Sequence, residues 1–273
     1  MKAPAFDYVR PRDLGEALAA LQGDHAMPKV LAGGQSLLPM LNLRLARPTL
    51  LIDIARIEAL RAINDRGTHA RIGAAVTHAE LEDRDIPGCT MVRAVAGSIA
   101  YRAVRNRGTI GGSLAHADPA ADWPLTLAAL GATVVVEGKA GRRNVPAGDF
   151  MVAAFQTRMA DSEIIVAVDV PKLSAAARYG YYKFCRKPGE FPEASAAAVF
   201  DPESGAARLY VGALSGPPQA LDGLASKLAR QGASAATEAA IAEAVAPVAG
   251  AEPVERRMRG AVVARALKQV FAP

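Results

Sequence analysis

The chain has 273 residues, 32 Lys and Arg against 27 Asp and Glu for a net charge of +5, and a hydrophobic fraction of 51% with only 5% aromatic. That length allows one large or two modest cores, and basic charge spread along the chain without interleaved aromatics argues against nucleic-acid binding. No apolar run approaches the roughly 20 residues of a membrane span, and the N-terminal MKAPAFDY segment has no signal-peptide core.

In chain order, residues 1–57 read as a small α/β unit. Asp13, with Glu16 three places on, has the form of a helix N-cap, and residues 17–21 continue the helix. Residues 29–32 make a short strand that delivers a Gly33-Gly34 turn. Residues 36–45 are apolar with breaks, and 50–54 read as a buried strand. Residues 58–172 form a larger unit: a strand at 70–76, a helix opened by a Thr77/Glu80 capping box, and helical apolar spacing over 91–104. A second glycine turn, a helix at 123–130 and strands at 132–137, 140–145 and 163–170 complete it. Pro171 marks a boundary. Beyond it, residues 180–184, 194–201 and 206–214 look like three antiparallel strands, followed by helices at 224–230, 235–245 and 254–271.

Several familiar chemistries are missing. There is no G-x-G-x-x-G, no G-x-x-x-x-G-K-[ST] and no H-E-x-x-H. His25, His69 and His78 lack metal spacing, so a surface or hydrogen-bonded structural role is their default. Cys89 and Cys185 stand alone and read as reduced and structural. Two cysteines cannot hold an iron–sulfur cluster, which needs about four.

Two glycine turns carry the chemical signal. Ala32, Gly33, Gly34, Gln35, Ser36 and Leu37 form the first; Thr109, Ile110, Gly111, Gly112 and Ser113 form the second, with His116, Asp118 and Asp122 close behind. Glycine allows positive φ and close approach to the main chain, and successive N–H groups in such turns make an anion-binding nest. A plain pair of tight turns is the alternative for either one alone. Asp118 and Asp122 also suit capping of the following helix.

The stretches AGGQSLLPMLNLRLARPTLLIDI and RNRGTIGGSLAHADPAADWP resemble the two flavin-binding signatures of the FAD subunit of molybdenum hydroxylases. The likeness is to the medium subunit of aerobic carbon monoxide dehydrogenase and its relatives, and extends from the Phe6-Asp7-Tyr8 entry to the C-terminal helix. It implies an α+β fold: a two-subdomain FAD-binding domain of the vanillyl-alcohol oxidase-like type over 1–172 (subdomains 1–57 and 58–172). A C-terminal domain with a three-stranded antiparallel sheet and helices would occupy 173–273. It implies that both turns clamp the FAD diphosphate and that Asp122 meets ribityl or ribose hydroxyls. Glu190 and Phe191, in the CRKPGEFP segment, match a loop beside the isoalloxazine, where relatives commonly carry tyrosine. Phenylalanine can still stack; a core aromatic after a strand is the other reading.

The same resemblance implies an electron-transfer role with no catalytic acid, base or nucleophile and no metal ligand on this chain. Molybdenum-pterin cofactor would sit on a large partner subunit and two [2Fe–2S] clusters on a small one, as a dimer of heterotrimers. The expected location is the cytoplasm or, peripherally, the inner face of the membrane. A free-standing FAD oxidase of the same fold and a flavin-less scaffold subunit are the alternatives.

Overall fold

The computed structural model describes residues 2–248 and 250–272. Strands β1 (Asp7–Val9), β2 (Pro28–Leu31) and β3 (Leu50–Asp53) pair in parallel in the order β1-β3-β2. The connections run through helices Leu14–Leu21 and Leu37–Asn42. Asp13 caps the first of these by accepting from Glu16 N at 2.9 Å. All four residues of β3 are buried, as expected for a central strand covered on both faces.

The second sheet combines β4 (Ile63–Asp65), β5 (His69–Gly73), β6 (Thr133–Gly138) and β7 (Gly141–Pro146). A small hairpin, β8 (Met151–Ala153) and β9 (Gln156–Thr157), precedes β10 (Ile164–Pro171), which returns to the centre, giving the antiparallel order β4-β5-β10-β6-β7. Pro171 is the last residue of β10, where a missing N–H is tolerated. The Thr77 capping box forms with both of its bonds. The apolar stretch 91–104 breaks into helices Thr90–Ser98 and Arg102–Arg105, parted where Ala100 takes φ 42°.

The third sheet holds β11 (Arg178–Phe184), β12 (Ala194–Asp201), β13 (Ala206–Gly212) and a two-residue edge strand β14 (Gln219–Ala220). The fourth strand corrects the three-stranded expectation; it is too short to show alternation. In β12, Ala197 and Val199 face one core while Ala194, Ala196 and Ala198 face another, the period of two that a strand imposes. Alanine keeps both faces shallow, so helices pack closely on each. Helix Asp122–Leu130, buried at every position, lies on the inner face. Helix Pro253–Val270 lies on the outer face, so close that a Cβ on Gly180 would come 2.0 Å from Ala266 O. Among the described residues no helix is long and apolar enough to cross a membrane.

Candidate functional site

A cleft of about 840 Å³ is lined by β2 of the first sheet, β10 of the second and the loop between β11 and β12. Its apolar lining includes Val30, Ile54, Ala74, Ile99, Ile164 and Ile165, and both glycine turns reach it. Among the described residues Lys29 is the one Lys or Arg that lines it.

The first turn follows β2 directly. Among the described residues the N–H groups of Gly33, Gly34, Gln35, Ser36 and Leu37 have no acceptor, and all five residues line the cleft. Gly34 supplies the left-handed φ of 73° that rotates the chain. Gly33 serves a different purpose, since a Cβ there would stand 2.1 Å from Arg107 O and 2.8 Å from Gly108 Cα. Its bare backbone lets the two turns touch.

The second turn does not repeat this arrangement. Ile110 N donates to Val76 O at 3.2 Å and Gly111 N to Ala74 O at 2.9 Å. Gly112 N goes to Thr109 Oγ1 at 3.0 Å, and Ser113 N to Thr109 O at 3.0 Å. The expected second nest is therefore spent on tertiary bonds and on Thr109 as N-cap of helix Ile110–His116. Its offer to a ligand is the Thr109 N–H, the Ser113 hydroxyl and an open backbone surface. Gly111 has no room for a Cβ, which would lie 2.5 Å from Ala74 Cβ. Ile110 is fully buried in the core and is the one expected site residue that does not line the cleft.

The remaining expected residues gather around the same space. Asp118 Oδ1 accepts from Ala120 N at 2.9 Å, closing a turn; Ala121, without a side-chain bond, is the N-cap of helix Asp122–Leu130. Capping by either aspartate is thus excluded. Asp122 is 7% exposed, and its Oδ1 accepts from the Tyr181 hydroxyl and, at 2.7 Å, from Lys183 Nζ. Burial and the Asp122 charge push the Tyr181 hydroxyl well above its ordinary pKa, so it remains a donor. Glu190 and Phe191 reach the cleft on a loop whose Gly189 rests against the Tyr101 ring. Phe191 is 63% exposed, which rules out the core-aromatic reading. His116 packs against Phe155, ring centroids 5.2 Å apart.

His78 and Phe155 also line the cleft, although no motif singles them out. His78 follows the Thr77 cap and is 6% exposed; among the described residues neither of its ring nitrogens has a hydrogen-bond partner, nor has Trp123 Nε1 beside it at a ring separation of 5.9 Å. Burial drives the His78 pKa down to about 4, against a smaller upward pull from Thr109 and Asp122. The imidazole is neutral at pH 7. Among the described residues no cluster of His, Cys, Asp and Glu could hold a metal.

The comparisons with known proteins agree with one another. The chain is 38% identical over 252 residues to the nicotine 6-hydroxylase medium subunit of Paenarthrobacter nicotinovorans, covering 88% of this chain and 87% of that protein. It is 36% identical over 284 residues to the carbon monoxide dehydrogenase medium chain of Hydrogenophaga pseudoflava, covering 100% and 99%. A solved structure of the carbon monoxide dehydrogenase of that organism, lacking the Mo-pyranopterin moiety of the molybdenum cofactor, superposes with a TM-score of 0.92 at 36% identity over 100% of this chain and 99% of that one. Residues 4–173 match the model of the FAD binding domain in molybdopterin dehydrogenase. The chain therefore belongs to the FAD-binding medium subunits of the carbon monoxide dehydrogenase and xanthine dehydrogenase family, components of oxidoreductases.

Proposed function

We propose that this chain is the FAD-carrying electron-transfer subunit of a heterotrimeric molybdenum hydroxylase. It takes electrons from [2Fe–2S] clusters on a small partner subunit and passes them to an external acceptor. A large molybdopterin subunit oxidises the substrate, and the complex is a cytoplasmic dimer of heterotrimers. Residues 1–172 form the flavin-binding domain and 173–273 a C-terminal domain of the carbon monoxide dehydrogenase flavoprotein type.

The observation that carries the reading is the row of unpartnered N–H groups from Gly33 to Leu37 along the cleft. Unpaired backbone donors are costly when shielded from water, and a row of them suits a diphosphate. With Lys29 the one lining residue of the Lys and Arg type, dipoles in place of side-chain cations would hold the anion. Thr109 N–H and Ser113 Oγ complete the cradle from the facing turn. Asp122, fixed by Tyr181 and Lys183, offers its carboxylate to ligand hydroxyls. His116, Asp118, Glu190 and Phe191 line the same cleft, the last two on the loop that would lie beside the isoalloxazine. Bound FAD supplies the redox chemistry; the protein supplies position and exclusion of water.

Expressed alone, the protein should purify yellow with a flavin absorption spectrum and no dehydrogenase turnover toward purines, N-heterocycles, aldehydes or carbon monoxide. Co-expression with an iron–sulfur and a molybdopterin subunit should give a stable complex whose flavin is bleached by substrate. Turnover by the isolated chain with an artificial acceptor would overturn the heterotrimer assignment.

A further inference from the structure

The β8–β9 hairpin breaks a local rule at the cleft mouth. Ala153 pairs with Gln156, so Ala154 and Phe155 alone make the turn, and Phe155 carries φ 60°. A left-handed position in so short a turn is ordinarily filled by glycine or asparagine. For a bulky side chain it is a genuine outlier. The strain is held in place: Phe155 N donates to Ala117 O at 2.8 Å, and Ala117 is itself left-handed at φ 51°.

The ring gains little from its own protein in return. It is 61% exposed, and its aromatic neighbour is His116 at 5.2 Å, tilted by 51°. It does line the cleft, as does Phe191, a second exposed aromatic arriving from the opposite domain. Strained residues tend to collect at ligand sites, and the same cleft is lined by Ala100, also left-handed at φ 42°. Retaining a phenylalanine where glycine would sit without strain makes physical sense when the ring has a ligand to meet.

We infer that Phe155 is a ligand contact that stacks on a planar conjugated ring at the cleft mouth, a role that rests on the flavin-binding reading above. The ring belongs either to the FAD or to the electron acceptor that approaches it; stacking chemistry is the same for both.

The test uses the purified chain with Phe155→Gly, Phe155→Asn and Phe155→Trp beside wild type. Glycine and asparagine accept the left-handed backbone but remove the ring, so the flavin-free melting temperature should hold or rise in both. If the ring met is the flavin, FAD Kd should weaken roughly 2- to 13-fold in these two variants, the range expected of one aromatic contact. Phe155→Trp should restore it. If the ring met is the acceptor, FAD Kd should stay put while reoxidation of the dithionite-reduced holoprotein by menadione slows by a similar factor, again restored by tryptophan. A lowered melting temperature with both ligand readouts unchanged would mean a structural ring and overturn the inference; so would no change in anything. Wild type separates the two levels: if it binds no FAD, the flavin reading fails and this inference with it, whereas normal wild-type binding with indifferent variants defeats this inference alone.

Discussion

Lys183 Nζ lies 2.7 Å from Asp122 Oδ1, with the lysine side chain 12% and the aspartate side chain 7% exposed. The pair ties β11 to the first residue of helix Asp122–Leu130, and Lys183 also donates to Ser98 O at 2.9 Å. The cleft wall and the contact between the FAD-binding domain and the rest of the chain therefore share one carboxylate.

Removing one member of a buried pair strands the other, at about 3–5 kcal/mol. Asp122→Ala should cost that much in urea unfolding, because the Lys183 ammonium and the Tyr181 hydroxyl both lose their acceptor. The double substitution Asp122→Asn with Lys183→Met should recover most of the stability. FAD affinity should not return with it if the carboxylate also meets the ligand. Recovery of both would reduce Asp122 to a structural group.

The glycines divide by what each makes possible. Gly33→Ala drives a Cβ to 2.1 Å from a backbone oxygen that cannot move aside, and Gly111→Ala meets Ala74. Both should disrupt the packing of the turns, lowering the melting temperature and releasing flavin together. Gly34→Ala meets side chains rather than backbone, Leu38 Cδ1 at 2.9 Å and Cγ at 3.1 Å and Leu31 Cδ1 at 3.4 Å, but must hold φ 73°. A cost of about 1–2 kcal/mol follows from that backbone, with a folded protein of weakened FAD retention. Circular dichroism and flavin occupancy on the three variants check the division.

Phe191 should tolerate truncation. A core phenylalanine costs about 3–5 kcal/mol on conversion to alanine, whereas an exposed one stays within about 0.5 kcal/mol. Phe191→Ala should melt like wild type while flavin emission rises and the midpoint potential shifts. A large fall in melting temperature with an unaltered flavin spectrum would remove Phe191 from the site.

His78 sets a pH dependence. Its folded pKa of about 4 lies below the ordinary value of 6.5, so between these pH values the unfolded chain binds a proton that the folded chain does not. Stability contributed at this site is complete above about pH 6.5 and falls as pH drops toward 4, by on the order of 3 kcal/mol. His78→Leu removes both unpartnered nitrogens and should flatten the stability profile across that window, leaving the variant more stable than wild type at pH 5. Urea midpoints from pH 4 to 7 measure it; parallel profiles would show that His78 titrates normally.

Features governed by neighbours in the chain are legible in the sequence. Asp13 and Thr77 announce their helices, since a cap bonds to an amide three residues on. The Gly33-Gly34 turn, strands β3, β6 and β12 and the terminal helix show in composition and period. The short strands β1, β4, β8, β9 and β14 do not, because two or three residues establish no period and their partners lie elsewhere. The use of each donor is likewise decided at long range. The first turn keeps its N–H groups free, whereas those of Ile110 and Gly111 are taken by carbonyls of Val76 and Ala74 more than 30 residues upstream. Two similar strings of glycine thus become a donor row and a packing surface. Gly33 against Arg107, Asp122 against Lys183 and Phe155 at the cleft mouth arise the same way: local sequence supplied the residue, and only the meeting of distant segments fixed what it touches.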